Sequence, residues 1–187
     1  MFPILLIALG LLNRLPAGWF YKFAGLISEI QYLCSFRDRR AVRSNLKKIC
    51  PEGADISVLA REVFRNFGRY LIEFFQMKEM VDEKFIRNKV HIKGLEHFDQ
   101  VLKKGKGGIA LTAHIGNWEL GAVLVSALGY PLMAIALQHK ERPVNDLFNA
   151  QREYKGVTVV PTNVALRRCI EQLRNNKLIA LAADRDF

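Results

Sequence analysis

The chain has 187 residues, half of them hydrophobic and a quarter charged, with a formal net charge of +10. That balance allows one domain with a substantial core and excludes a disordered chain. The basic excess suits an anionic surface, and three widely spaced cysteines (Cys34, Cys50, Cys169) show neither zinc nor disulfide-framework spacing, which points to a reducing compartment.

Phe2 to Leu12 is an apolar run, broken by Asn13-Arg14 and Pro16. It falls short of the roughly 20 residues a spanning helix needs. No Lys or Arg precedes it, so it lacks the charged start of a secretory signal. Residues 16–36 predict a helix that is apolar apart from Lys22, Ser28, Glu29 and Gln31. With Trp19-Phe20 near its start, this helix suits the membrane interface. Arg37, Arg39, Arg40, Arg43, Lys47 and Lys48 follow, opposed only by Asp38. Beside an anionic leaflet each adds on the order of 1 kcal/mol, and the positive-inside rule puts them on the cytoplasmic side. The plain alternative is a solvated helix face. No groove-reading motif accompanies the charge, which argues against nucleic acid.

Helices are expected at 38–49 and 55–80, divided by Pro51-Glu52-Gly53, with Asp55 or Ser57 as cap of the second. Val58, Val63, Phe67, Tyr70, Leu71 and Phe74 recur there near helical spacing, as a core stripe does. From Val90 the pattern changes. Short strands are expected at 90–92, 108–113, 132–137, 157–160 and 178–182, and helices at 94–104, 117–128, 144–155 and 163–176. Strands alternating with helices define an α/β layer with a mostly parallel sheet and flanking helices. There is no Gly-x-Ser-x-Gly elbow, Walker loop or dinucleotide fingerprint.

The chemistry concentrates at His114-Ile115-Gly116-Asn117-Trp118-Glu119. His114 would sit at the carboxyl end of a buried strand, where open α/β sheets place their ligand sites. Asn117 is a plausible N-cap, which puts Glu119 in the first helical turn, where the helix dipole favours its ionised form. Glu119 would then accept a hydrogen bond from one imidazole nitrogen and leave the other free as a base. Trp118 reads as packing. His91, His97 and His139 have no ligand spacing, and neither a metal nor a cofactor is implied.

The stretch Gly107 to Gly121 resembles the His-x4-Asp/Glu block of the glycerolipid acyltransferase superfamily, and in particular the late acyltransferases of lipid A biosynthesis and their phosphatidylinositol-mannoside relatives. Three further stretches are similar to that family: Arg39-Arg40-Ala-Val-Arg43-Ser-Asn45-Leu46 with the later Pro51, Arg142-Pro143-Val-Asn145 with Arg152, and Ala182-Ala183-Asp184-Arg185-Asp186. In the last, Arg185 stands where lipid A enzymes usually carry Gln, a form that leans toward other branches. The resemblance implies a membrane-associating segment at 1–36 and an acyltransferase domain at 37–187. It implies a membrane enzyme on the cytoplasmic face of the inner membrane, moving a fatty acyl group from a thioester on acyl carrier protein or coenzyme A to a glycolipid hydroxyl. His114 and Glu119 would be catalytic. Asn117, Arg142, Arg152, Asp184, Arg185 and Asp186 would bind substrate, with Ile115-Gly116-Asn117 amides or Arg142 as oxyanion donors. With no Ser or Cys in the motif, no acyl-enzyme is expected. Family members continue past this point through a Phe-Gly-Pro-type block, which implies that the 187-residue form is inactive or nearly so. A thioester hydrolase or an inactive membrane-surface module are the other readings.

Overall fold

The computed structural model of the chain describes residues 17–139 and 141–184. The apolar run Phe2–Leu12 lies outside them, as do Arg185 and Asp186. Two compact units divide the chain, with the boundary between Phe75 and Gln76.

The first unit is helical. It holds α1 (Ala17–Cys34), α2 (Phe36–Ile49) and the start of α3 (Ile56–Met80). Asp55 caps α3 by accepting from the Ser57 and Val58 amides at 2.9 and 3.1 Å, as its position before the helix predicts. Tyr32 stands edge-on to Phe64 at 5.5 Å and clusters with it and Ala60, and Val42 and Leu46 of α2 pack against the group. Further back along α1, Glu29 meets Arg61 at 2.7 Å and Arg65 at 2.6 Å. Ser28 occupies the space a Cβ on Gly68 would need, 2.2 Å away. Partners that advance along α3 as they recede along α1 make the two helices antiparallel. Arg39 of α2 donates to the Tyr32 carbonyl at 3.0 Å and so satisfies one open acceptor at the end of α1. The other face of α1 is apolar and exposed: Trp19, Phe23, Leu26, Ile27, Ile30 and Leu33.

The second unit is an α/β layer. After α3 come α4 (Glu83–Lys89), α5 (Leu95–Leu102), β1 (Gly108–Thr112), α6 (Trp118–Ala127), β2 (Leu132–Ala136), α7 (Arg142–Glu153), β3 (Thr158–Pro161), a 3₁₀ turn (Thr162–Val164), α8 (Ala165–Arg174) and β4 (Leu178–Ala182). The strands form one sheet in the order β1-β4-β2-β3, and every pairing is parallel. The parallel α/β architecture is therefore as the alternating pattern predicts. Pro161, which cannot donate to a ladder, sits on the edge strand β3.

Two local expectations change. Val90-His91-Ile92 is not a strand: Val90 closes α4, and among the described residues no ladder partner takes the segment. An alternating apolar triplet becomes a strand only where a neighbour accepts its backbone groups. The residues before it, to which the sequence pattern assigns no element, form α4, with Asp82 accepting from the Phe85 amide at 2.6 Å as its cap. The α7 start also moves forward to Arg142, since Pro143 is well placed in a first turn.

Register determines what each face presents. Ile109 and Leu111 pair with Ile179 and Leu181, so they share a face with the cluster Met133, Val160 and Ile179. Cys169 and Leu173 of α8 cover that cluster. On β1 the same face is open, with Ile109 57 % and Leu111 72 % exposed. On the opposite face Gly108 admits Val101 of α5, whose Cγ1 lies 2.3 Å from where a Cβ would be.

One side chain aligns the two strands that matter most. Asn176, in the turn before β4, accepts from the Gly107 amide at 2.8 Å and donates to the Leu102 carbonyl at 3.0 Å. Gly107 has φ +65°, and a Cβ there would meet the Lys177 carbonyl at 2.6 Å, so both the space and the backbone favour glycine. This clasp sets β1 and β4 side by side from their first residues, and fixes what meets at their far ends.

Candidate active site

β1 and β4 are neighbours and parallel, so residues just past their carboxyl ends come together although 70 positions separate them. The Ala183 amide donates to the Thr112 carbonyl at 3.0 Å, which continues the ladder beyond both strands. One residue further on, Asp184 faces His114. Its Oδ2 accepts from the His114 backbone amide at 3.0 Å, and its Oδ1 lies 2.7 Å from Nδ1. The hydrogen bond to the imidazole, followed by that from the backbone amide, holds the Asp184 carboxyl below its ordinary value. An ionised carboxylate only accepts, so Nδ1 is the nitrogen that donates to Asp184, and Nε2 is not used in that bond.

The chain then turns through Gly116, at φ +60°, into α6. Asn117 caps the helix, its Oδ1 accepting from the Leu120 amide at 3.0 Å. The cap places Trp118 in the first turn, where its ring meets that of His114 with centroids 4.7 Å apart and planes at 71°. Glu119 follows, buried at 8 % exposure. Arg152 of α7 grips it with both arms of the guanidinium, Nε to Oε2 at 2.8 Å and Nη2 to Oε1 at 2.5 Å. The Arg152 side chain is 12 % exposed and also lies over the Phe148 ring at 5.8 Å.

The sequence-based pairing of His114 with Glu119 is therefore corrected. The carboxylate on the imidazole is Asp184, and Glu119 joins α6 to α7 through Arg152. The physical reason is competition: a bidentate guanidinium at hand is a stronger partner for a buried carboxylate than one imidazole N–H. The same pairing engages Arg152, expected on substrate. Asn117 is where the sequence puts it, as helix cap. Ile115 is less suited as an oxyanion donor, because its amide donates to the Ala113 carbonyl at 2.8 Å. Arg142 opens α7 with its side chain 92 % exposed and 3.8 Å from Asp146, so it is not gathered into the His114 cluster. Sequence reasoning also missed the contact of the Trp118 ring with that of His114. The place of Trp118 two residues after Gly116 and four after His114 was the available signal.

The described sheet is parallel, and a histidine held by a carboxylate lies at its carboxyl edge. The family model of the bacterial lipid A biosynthesis acyltransferases matches residues 2–187, and the chain belongs to that family. Among curated proteins it is 29 % identical over 153 residues to the phosphatidylinositol mannoside acyltransferase of Mycobacterium tuberculosis (strain CDC 1551 / Oshkosh), covering 78 % of this chain and 48 % of that protein. It is 28 % identical over 153 residues to the protein of the same name from Mycolicibacterium smegmatis, covering 78 % of this chain and 50 % of that one. The chain spans about half the length of these relatives.

Proposed function

We propose that this protein is a membrane-surface acyltransferase that moves a fatty acyl group from a thioester, on acyl carrier protein or coenzyme A, to a hydroxyl of a glycolipid acceptor. The observation that carries the reading is the Asp184–His114 pair, 2.7 Å apart at Nδ1. In this reading Nε2 takes the proton of the acceptor hydroxyl as its oxygen bonds to the thioester carbonyl carbon. The carbonyl electrons move onto oxygen. Collapse of the tetrahedral species breaks the C–S bond, and the imidazolium returns its proton to the departing sulfur. Ester and free thiol are the products, with no acyl-enzyme. Asp184 stabilises the imidazolium, as the acid of a catalytic triad does. The developing oxyanion is served by the amides of the turn into α6, at the positive end of that helix.

Glu119 and Arg152 contribute at one remove. Their bidentate pair fixes α6 against α7, and α6 carries the turn, the cap and Trp118. Arg142, solvated at the start of α7 on the same edge of the sheet, is free to meet the phosphate of a donor or acceptor. Arg185 and Asp186 remain candidates for acceptor hydroxyls by their position after β4.

Attachment is peripheral in this reading. Among the described residues no helix is long and apolar enough to cross a membrane. The exposed stripe of α1, from Trp19 to Leu33, recurs at the spacing of one helical face, and the basic residues of α2 follow it. An apolar face beside a cationic helix matches an anionic leaflet. This supports the cytoplasmic face of the inner membrane as the working place.

The test is to incubate the purified protein with both thioester donors and a panel of mannosylated and lipid A-type glycolipids, with His114→Ala as control. Mass spectrometry should find a product heavier by one acyl group, absent with the control. Free fatty acid as the sole product, at equal rate with and without acceptors, would make the protein a hydrolase instead.

A further inference from the structure

We propose that Trp118 is a positioning residue that braces the imidazole of His114, and with Asp184 holds Nε2 in a single direction. The proposal rests on the reading of His114 as the base. Asp184 grips one edge of the ring through Nδ1, and a single hydrogen bond leaves the ring free to tilt about that contact. Trp118 supplies a second contact, with ring centroids 4.7 Å apart and planes at 71°, within the edge-to-face range that stabilises aromatic pairs. Two contacts of different kind fix a ring that one contact would leave mobile.

The local sequence makes this contact reproducible. His114 and Trp118 are separated by a turn whose Gly116 is left-handed, and Asn117 pins the start of α6 through the Leu120 amide. Trp118 is thus the first residue of a capped helix, held at its N-terminus. Glu119 beside it is anchored to Arg152. The indole therefore projects from a rigid element, and rigid supports are what keep a reacting atom within the small tolerance that catalysis accepts.

Trp118→Phe and Trp118→Leu separate this role from plain packing. Phe keeps an aromatic brace, whereas Leu keeps apolar volume without a ring. With the intact chain, turnover should fall at least tenfold for Trp118→Leu with KM nearly unchanged, and Trp118→Phe should recover most of it. Imidazole ¹⁵N spectra supply a readout that needs no substrate. The parent and Trp118→Phe should show one tautomer at His114, protonated at Nδ1, and Trp118→Leu should show broadened or averaged ring signals. Sharp single-tautomer signals with full turnover in Trp118→Leu would overturn the proposal. So would equal losses in Phe and Leu variants with unchanged ring signals, since that pattern marks a packing role. If no donor–acceptor pair supports transfer, the acyltransferase reading fails, while the spectra still decide whether Trp118 braces His114.

Discussion

Replacing Asp184 with Asn and Glu119 with Gln should damage the protein in opposite ways, because the two carboxylates have different partners. Asp184→Asn keeps the shape of the side chain but removes the charge that selects the Nδ1-protonated ring. The amide can then turn its NH₂ toward Nδ1 and leave Nε2 protonated, useless as a base. Loss of a positioned base is worth about 10²–10⁴ in rate, so turnover should fall by at least a hundredfold. The fold should hardly notice, since Asp184 is accessible and lies past the end of β4. Glu119→Gln instead strips the charge partner from Arg152, whose side chain is nearly buried. Unpairing such a charge costs about 3 kcal/mol or more, which at this chain length lowers Tm by about 6–12 °C. Its turnover should fall less, and measured well below the melt it should stay within about tenfold of the parent. Transfer assayed by mass spectrometry, beside melts followed by circular dichroism, reads both effects. The reasoning is refuted if Asp184→Asn turns over at the parental rate while Glu119→Gln, unaltered in Tm, loses a hundredfold. The pH dependence follows the same pair. The Asp184 carboxyl is held below its ordinary value by His114, so its hold on the imidazole is complete above the ordinary carboxylate value and is lost as pH falls through the lowered one. Asp184→Asn should remove that acid-side dependence.

Three other outcomes can be checked directly. Exchanging Phe23, Ile27 and Ile30 for Ser should release the protein from anionic vesicles in co-sedimentation, and replacing Arg37, Arg40 and Arg43 with Gln should reduce the salt sensitivity of binding; vesicle binding unchanged in both would remove α1 and α2 from the interface. Asn176→Ala should cost about 1–3 kcal/mol in urea unfolding, because the Gly107 amide and Leu102 carbonyl lose their partner, and an unaltered midpoint would show the clasp to be idle. Ile109→Thr with Leu111→Thr should lower self-association in analytical ultracentrifugation, since these two residues leave an apolar strip on the open face of β1, which is an edge strand among the described residues; equal sedimentation of parent and variant would count against that face as an association surface.

Much of the second unit is legible in the chain because its signals are local. Gly105-Lys106-Gly107-Gly108 announces a turn, the apolar run after it a strand, and Asn117 the start of a helix; each of these is determined within a few residues, whereas the burial expected of that strand is not met, with Ile109 and Leu111 exposed. The departures share a cause. At Val90-His91-Ile92 the local pattern is strand-like, but pairing depends on a neighbour, and no local pattern reveals which strands find one. α4 went unnoticed for the converse reason: it is short, and its Asp82 cap carries more of its definition than any apolar periodicity.

The partner of His114 shows the same division between local and non-local information. Glu119 is the carboxylate nearest in sequence, and a His-x4-Glu spacing invites a direct pair. A left-handed residue and a capped helix start intervene, so Glu119 enters the interior beside α7 and finds Arg152 instead. Asp184 is 70 residues away, and its place depends on β4 inserting between β1 and β2, which is a property of the strand order. The sequence does carry the position of each residue relative to its own strand. Both His114 and Asp184 directly follow a short run that ends in alanine, Ala113 and Ala183, and in a parallel sheet equal offsets past adjacent strands bring side chains to the same level. Only the adjacency was hidden. The Asn176 clasp, which aligns the starts of β1 and β4, makes that equal offset meaningful, so a residue far from the chemistry helps to set the 2.7 Å contact at its centre.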